Sequence, residues 1–299
     1  MDERRREGER FTVNAATSVE LALQSRMPTA SRRTLKQLVE HERVRVDGRR
    51  VRRLDAPVAA GATVEVVPRG MRPAPERPMP HGLTVLFEDD TIVVVEKPAG
   101  LLSIATDRER KRTAYAAVRA HVKARDPRER VFIVHRLDRS TSGVLVFAKT
   151  PEAKEALQTA LAGRTVDRVY HAVLEGVLRD DAGTLRSHLV ESSAHKVHVT
   201  ADARRGVEAI THYRVVRRGR SRTLVEVRLV TGRKAQIRVQ FAEENHPVVG
   251  DRVYGKGTDP IGRVALHATR IAFDHPRTGG RVTFRSRTPA TFAQLVAEE

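Results

Sequence analysis

The residues best suited to chemistry lie in one polar turn, His135-Arg136-Leu137-Asp138-Arg139-Ser140-Thr141-Ser142-Gly143, caught between apolar runs at 131–134 and 144–147. A turn between two buried strands displays its functional groups at the end of a rigid sheet, where catalytic sites are commonly built. Asp138 sits between Arg136 and Arg139, and a carboxylate among cations is a natural nucleophile. The same spacing also fits a salt-bridged structural turn. A second segment, Leu229 to Gln240, leaves a strand through Thr231-Gly232 and then carries Arg233 and Arg238 at a spacing suited to a cationic pocket wall. Guanidinium groups grip carboxylates or phosphates with two donors at once. Alone, this segment also fits an exposed basic strand edge.

Two such turns need rigid elements to hold them. Residues 84–97 read as strand, turn and strand, with Glu88-Asp89-Asp90 as the break and Lys97-Pro98-Ala99-Gly100 as the turn that follows. A helical pattern covers 113–125, and Thr150-Pro151 opens a second helix reaching about Gly163, with a capping hydroxyl ahead of a proline at the first helical position. Alternation predicts strands at 166–175, 209–216, 223–230 and 282–285. Strands outnumber helices and no regular βαβ alternation appears, so the fold class is α+β with a mixed, largely antiparallel sheet.

Upstream, apolar positions at 19–23 and 35–39 predict two short helices, residues 44–51 alternate around an Asp47-Gly48 turn, and 61–67 read as another strand. The result is a small α/β unit whose polar positions are mostly arginine. Arg32, Arg33, Arg43, Arg45 and Arg49, with Arg50, Arg52 and Arg53, are expected to line one side as phosphate-seeking groups. Pro73, Pro75, Pro78 and Pro80 make the stretch between the units an extended, stiff connector. The organisation expected is a flexible N-terminus (1–16), a basic module (17–68), a Pro-rich linker (69–82) and a main domain (83–299).

Lys and Arg number 55 against 37 Asp and Glu in 299 residues, a formal charge of +18. That excess points to a polyanionic partner, nucleic acid first, although an arginine-rich genome would raise it as well. The absence of cysteine excludes disulfides, thiolate zinc sites and cysteine nucleophiles. No apolar run approaches the roughly 20 residues of a membrane span, and Met1 to Phe11 is a charged run. A soluble, cytoplasmic protein is expected. With 4 tyrosines and 8 phenylalanines the chain offers few stacking platforms, so phosphate and shape recognition should dominate RNA binding.

Taken together, these segments resemble the RluA-type pseudouridine synthase family. Its signature is a His-Arg-Leu-Asp turn followed two residues later by Thr-Ser-Gly, matched here from His135 to Gly143. Lys97-Pro98-Ala99-Gly100, Val169-Tyr170-His171-Ala172, Thr231-Gly232-Arg233, Gly250-Asp251-Arg252-Val253-Tyr254-Gly255 and Leu266-His267-Ala268 with His275-Pro276 fall in the family's order, over about residues 83–290. The N-terminal unit resembles the S4-type RNA-binding domain, through Ser31-Arg32-Arg33 and Val44-Arg45-Val46-Asp47-Gly48. The resemblance implies a catalytic domain with a central cleft, acting on uridine in RNA without metal or organic cofactor. It assigns Asp138 as nucleophile or base, Tyr170 as the ring that stacks on the flipped base and takes a proton from the sugar, and Arg233 as the partner of Asp138. His135, Arg136, Thr141, Ile237, Arg238 and Lys97 become substrate-binding residues. Large-subunit ribosomal RNA is the implied substrate, with transfer RNA as the alternative, and a monomer is the default. One position departs from the pattern: Ala235 stands where the family commonly has histidine.

Two other readings compete. A non-enzymatic RNA-binding or ribosome-assembly protein would fit if Ala235 marked a decayed site. A hydrolase using His135 and Asp138 would need further metal ligands or a second carboxylate about 5 Å away, and neither is evident in the turn. Which uridine is the target, what Ala235 changes and how Asp138 divides nucleophile from base duty are not legible in the chain.

Overall fold

The computed structural model describes residues 10–40, 43–47, 49–66, 71–72, 79–255, 257 and 259–297. Contacts divide the chain into two compact units, residues 1–74 with 87–90, and residues 75–86 with 91–299. Most of the expected Pro-rich linker lies outside the described residues.

The first unit runs β1 (Arg10–Thr12), β2 (Thr17–Ser18), α1 (Val19–Arg26), α2 (Arg32–Glu40), β3 (Val44–Val46), β4 (Arg49–Arg50), β5 (Pro57–Val58), β6 (Thr63–Val66) and β7 (Met71–Arg72). Both helices start where a serine can cap them: Ser18 Oγ accepts from Leu21 N at 3.3 Å and Ser31 Oγ from Thr34 N at 3.1 Å. Leu35, Leu38 and Val39 turn the apolar stripe of α2 into a core with Val19, Leu23, Val44 and Val64. The hairpin β3–β4 pairs Val46 with Arg49 around Asp47, which takes a left-handed φ of 50°. The unit begins earlier than 17. Phe11 is buried in its core and β1 pairs with β6, Phe11 opposite Val64, so the stretch expected to be flexible up to residue 16 is structured from Arg10.

The second unit contains the first half of β8 (Thr84–Asp89), then β9 (Ile92–Lys97), α3 (Ala114–Lys123), β10 (Phe132–Ile133), β11 (Ser142–Ala148), α4 (Pro151–Ala162), β12 (Asp167–Glu175), β13 (Ala182–Glu191), β14 (Val197–Thr200), β15 (Val207–Arg218), β16 (Arg222–Leu229), α5 (Gln236–Glu243), β17 (Leu266–Asp274), β18 (Arg281–Arg285) and α6 (Ala290–Ala297). One mixed sheet orders them β14-β13-β15-β16-β12-β17-β11-β9-β8, with β10 on β11 and β18 on β17. The fold is α+β. Among the described pairings of this sheet only β11 with β17 is parallel. Every residue of β11 is buried, as befits a central strand; Thr150 caps α4 as its sequence predicts, and Thr113, read as the first helical residue, is instead the cap of α3. Gly143 opens β11 with φ +112°, and a Cβ there would lie 2.2 Å from the Ala268 carbonyl oxygen; only glycine lets the parallel strands meet. No described helix is long and apolar enough to cross a membrane.

Candidate active site

The turn between β10 and β11 is clamped from below. Ser103 Oγ donates to Leu137 O at 2.7 Å and accepts from Leu137 N at 3.0 Å. Gly100 N donates to Arg139 O at 2.8 Å while Arg139 Nε returns a bond to Gly100 O at 3.1 Å, and Thr141 N closes onto Asp138 O at 3.1 Å. Asp138 thus projects from a backbone whose neighbours on both sides are hydrogen-bonded. It opens into a cavity of about 400 Å³, lined by His135, Arg136, Asp138 and Thr141 from the turn, Leu161 and Arg164 from the end of α4, Arg168 and Tyr170 from β12, and residues 229–233 and 235–238.

The expected partner of Asp138 is corrected. Arg233 lines the same cavity but is bonded elsewhere: it is exposed, and its Nε donates to the Glu208 carbonyl at 3.2 Å. Arg238 takes the place instead, with Nη1 3.3 Å from Asp138 Oδ2. The cause is local. Ala235 adopts φ 53°, and α5 begins at Gln236, so the chain turns into a helix whose first turn aims Arg238 at the cavity. Asp251 completes the arrangement, accepting from Arg238 Nε and Nη2 at 2.7 Å each and from the backbone N–H groups of Val253 and Tyr254. Burial works against the Arg238 charge, but the hydrogen bonds and attraction of Asp251 and Asp138 outweigh it and hold the group above the usual arginine range. The Tyr254 ring stacks on the same guanidinium, 5.0 Å from its centroid. Asp251 was visible in the sequence only as part of a motif, with no role attached.

Helix α5 is fastened by amides. Gln236 Nε2 donates to Ile210 O at 3.0 Å and Thr211 Oγ1 at 2.8 Å; Gln240 Nε2 reaches Ala209 O and Ser187 Oγ at 3.0 Å. Ala235 packs with Leu189, Val197, Ala209 and Val239 in a small apolar cluster, so the position carries packing here and no polar group.

Tyr170 is 7% exposed, and the register with β17 shifts between Val169 and Tyr170, an irregularity of the kind that re-aims a side chain. Burial pushes its phenol up, with the Arg168 charge opposing and Asp138 adding. Ile237 is 4% exposed and lines the same cavity. Arg168 was not anticipated, although it precedes Tyr170 by two residues on one strand and therefore shares its face. His135 spends its Nε2 accepting from Val146 N at 3.2 Å, which fixes the neutral tautomer with hydrogen on Nδ1. Burial, with Arg168 nearby, pushes it down to about 3, so it remains a neutral part of the wall.

Lys97 is corrected as well. It does not line the cavity. Fully buried, it donates to Leu101 O at 2.7 Å, Pro98 O at 2.9 Å and Arg139 O at 3.3 Å, tying the two turns together. Burial pushes it down to about 7, with Asp138 opposing the shift and Arg263 adding to it.

In the first unit Arg32 and Arg33 line a surface hollow with Lys36, Arg52 and Arg53. Arg43 is 9% exposed and Arg45 half-buried, so neither belongs to that face, because strand alternation and the helix-to-strand bend turn them inward. The side chain of Arg49 lies outside the described residues.

The cavity thus joins a buried Arg-carboxylate pair to a buried tyrosine on a mixed sheet. The family model described as RNA pseudouridylate synthase matches residues 91–243, and that described as S4 domain matches residues 23–64. The chain belongs to the RNA pseudouridylate synthase family. It is 31% identical over 312 residues to ribosomal large subunit pseudouridine synthase D of Haemophilus ducreyi, covering 96% of this chain and 94% of that one. It is 36% identical over 243 residues to the Neisseria meningitidis serogroup A protein of the same name, covering 76% of this chain and 65% of that one, so it spans less than two thirds of the latter. The solved structure of human RNA Pseudouridylate Synthase Domain Containing 4 superposes with a TM-score of 0.58 at 23% identity, over 70% of this chain and 90% of that one, a likeness of fold.

Proposed function

We propose that this chain is an RNA pseudouridine synthase that isomerises uridine in structured RNA, with Asp138 as the carboxylate that starts the reaction. The observation carrying this reading is the placement of Asp138 at the cavity wall, held by Arg238, which is itself held by Asp251. The target nucleotide leaves its stack at a cost of a few kcal/mol and enters the cavity. The bond from C1′ to N1 breaks, the uracil turns, a bond from C1′ to C5 forms, and the hydrogen lost from C5 is balanced by one gained at N1. Tyr170 stacks on the base, and its phenol relays a C2′ proton of the sugar that returns to C2′ as the bond from C1′ to C5 forms; Ile237 closes the apolar side. Arg136, exposed at the mouth, occupies the space that the base vacates. No metal or organic cofactor enters this scheme. Large-subunit ribosomal RNA is the proposed substrate, because the relatives matched over most of this chain carry that name.

Mapping pseudouridine by carbodiimide-based primer extension, in cells with and without the gene, tests this. A stop that disappears on deletion and returns with wild type but not with Asp138→Asn supports the reading and names the position. If Asp138→Asn restores the stop, the role of Asp138 is lost.

A further inference from the structure

We propose that Arg168, with Arg164 and Arg233, forms a seat for a phosphodiester group of the RNA strand that carries the target nucleotide. The proposal rests on the isomerase reading above. Five guanidinium groups line the cavity, from Arg136, Arg164, Arg168, Arg233 and Arg238, against the single carboxylate of Asp138. Arg238 is matched by Asp138 and Asp251. The rest carry an excess of positive charge at a place meant for one nucleotide.

Glu208 gathers part of that excess. Its Oε2 lies 3.4 Å from Arg164 Nη2, its Oε1 2.7 Å from Arg186 Nη1, and its carbonyl accepts from Arg233 Nε at 3.2 Å. One carboxylate therefore holds two arginines, its residue's backbone carbonyl holds a third, and a net surplus of positive charge is left. The end of α4 delivers Arg164: Gly163 caps the helix, Arg164 takes φ 60°, and Thr165 N bonds back to Ala160 O at 3.0 Å.

Arg168 is the sharper sign. It is 9% exposed, its one hydrogen bond among the described residues goes to Val230 O at 3.3 Å, its Nε is enclosed without a partner, and no described carboxylate lies within ion-pair distance. A buried guanidinium without a counter-ion is unfavourable, and an anion brought by the ligand relieves it. Room for the group is built in, since a Cβ at Gly232 would lie 2.2 Å from Arg168 Nη1. The forked donors suit phosphate oxygens, whereas uracil is neutral and offers only two carbonyl acceptors.

The test uses the full chain with Arg164→Gln, Arg168→Gln and, as a bulk-charge control, Arg217→Gln; Arg217 is exposed on β15, nine residues from Glu208 and roughly 30 Å away along the strand. Affinity for a ten-residue oligouridylate is measured against salt. The slope of log K on log salt should fall by about 0.7 in each of the first two variants and hold at the wild-type value in the control. With a large-subunit ribosomal RNA transcript, KM should rise about tenfold in both, with kcat nearly unchanged. If the wild type turns over the transcript and both variants keep its slope and KM, the seat is overturned and the activity stands. If the slopes fall while the wild type shows no turnover, the seat stands and the isomerase reading fails. Should Arg168→Gln not fold, the exposed Arg164→Gln carries the same readouts.

Discussion

In the first unit the cations around the surface hollow lie in water. Arg32 and Arg33 are exposed, Arg32 meets Glu20 at 2.9 Å from an almost open position, and Arg53 pairs with Asp55 two residues along the same surface. In the second unit Arg238 and Arg168 are each 9% exposed and Lys97 is fully enclosed. Exposed pairs are screened and add little to stability, so the first unit's arginines remain available to a phosphate backbone. Arg238 and Lys97 have lost their water and are held by named partners, so they set geometry, while Arg168 is enclosed with one bond and an open fork. The difference between the units is one of solvation: screened cations at a surface in one, enclosed and tethered ones in the other.

Four substitutions break or sharpen that contrast. Asp251→Asn should do most: it leaves Arg238 buried beside a neutral amide, costing about 3–5 kcal/mol, or roughly 10 °C in Tm by calorimetry. Turnover should fall on the order of 100-fold as Asp138 loses its fixed neighbour. Arg238→Lys retains the charge but not the fork, and a loss on the order of 2 kcal/mol is expected in denaturant titration. Lys97→Met should reveal a pH effect. The wild-type ammonium sits at about 7 when folded, below the ordinary lysine value of 10.5. The unfolded chain therefore binds the extra proton between those values, so this group makes stability rise with pH from about 7 to 10.5, the burial penalty being fully present below 7. The variant's Tm should lack that rise, and parallel curves for both proteins would contradict it. Arg33→Ala should do least to the fold, within about 0.5 kcal/mol, while lowering the salt slope of RNA binding by about one. If Arg33→Ala and Asp251→Asn destabilise equally, the contrast between the two units is gone.

The polar turn at 135–143 was legible because its signal is local, a hydrophilic run between two apolar ones, and the cap of α4 was legible for the same reason. Helix α5 was not. Residues 236–241 are all buried, including Gln236, Arg238 and Gln240, so the segment has no polar face and no readable helical period. Strands β13 and β14 were also missed, since β13 is half-buried or exposed along most of its length and its alternation of Leu185, Ser187 and Leu189 is weak. Arg43 and Lys97 misled in the opposite sense: a charged residue suggests a surface, yet tertiary packing buries both.

By itself the sequence determined the α+β class, a basic module ahead of the main domain, and the turn that presents Asp138, because each follows from neighbouring residues. Only the tertiary structure decided which arginine meets Asp138. That pair is separated by 100 residues and the supporting Asp251 by 13 more. Its choice depends on a left-handed Ala235 and a buried amide network that orients α5, features that hold only once distant strands have come together.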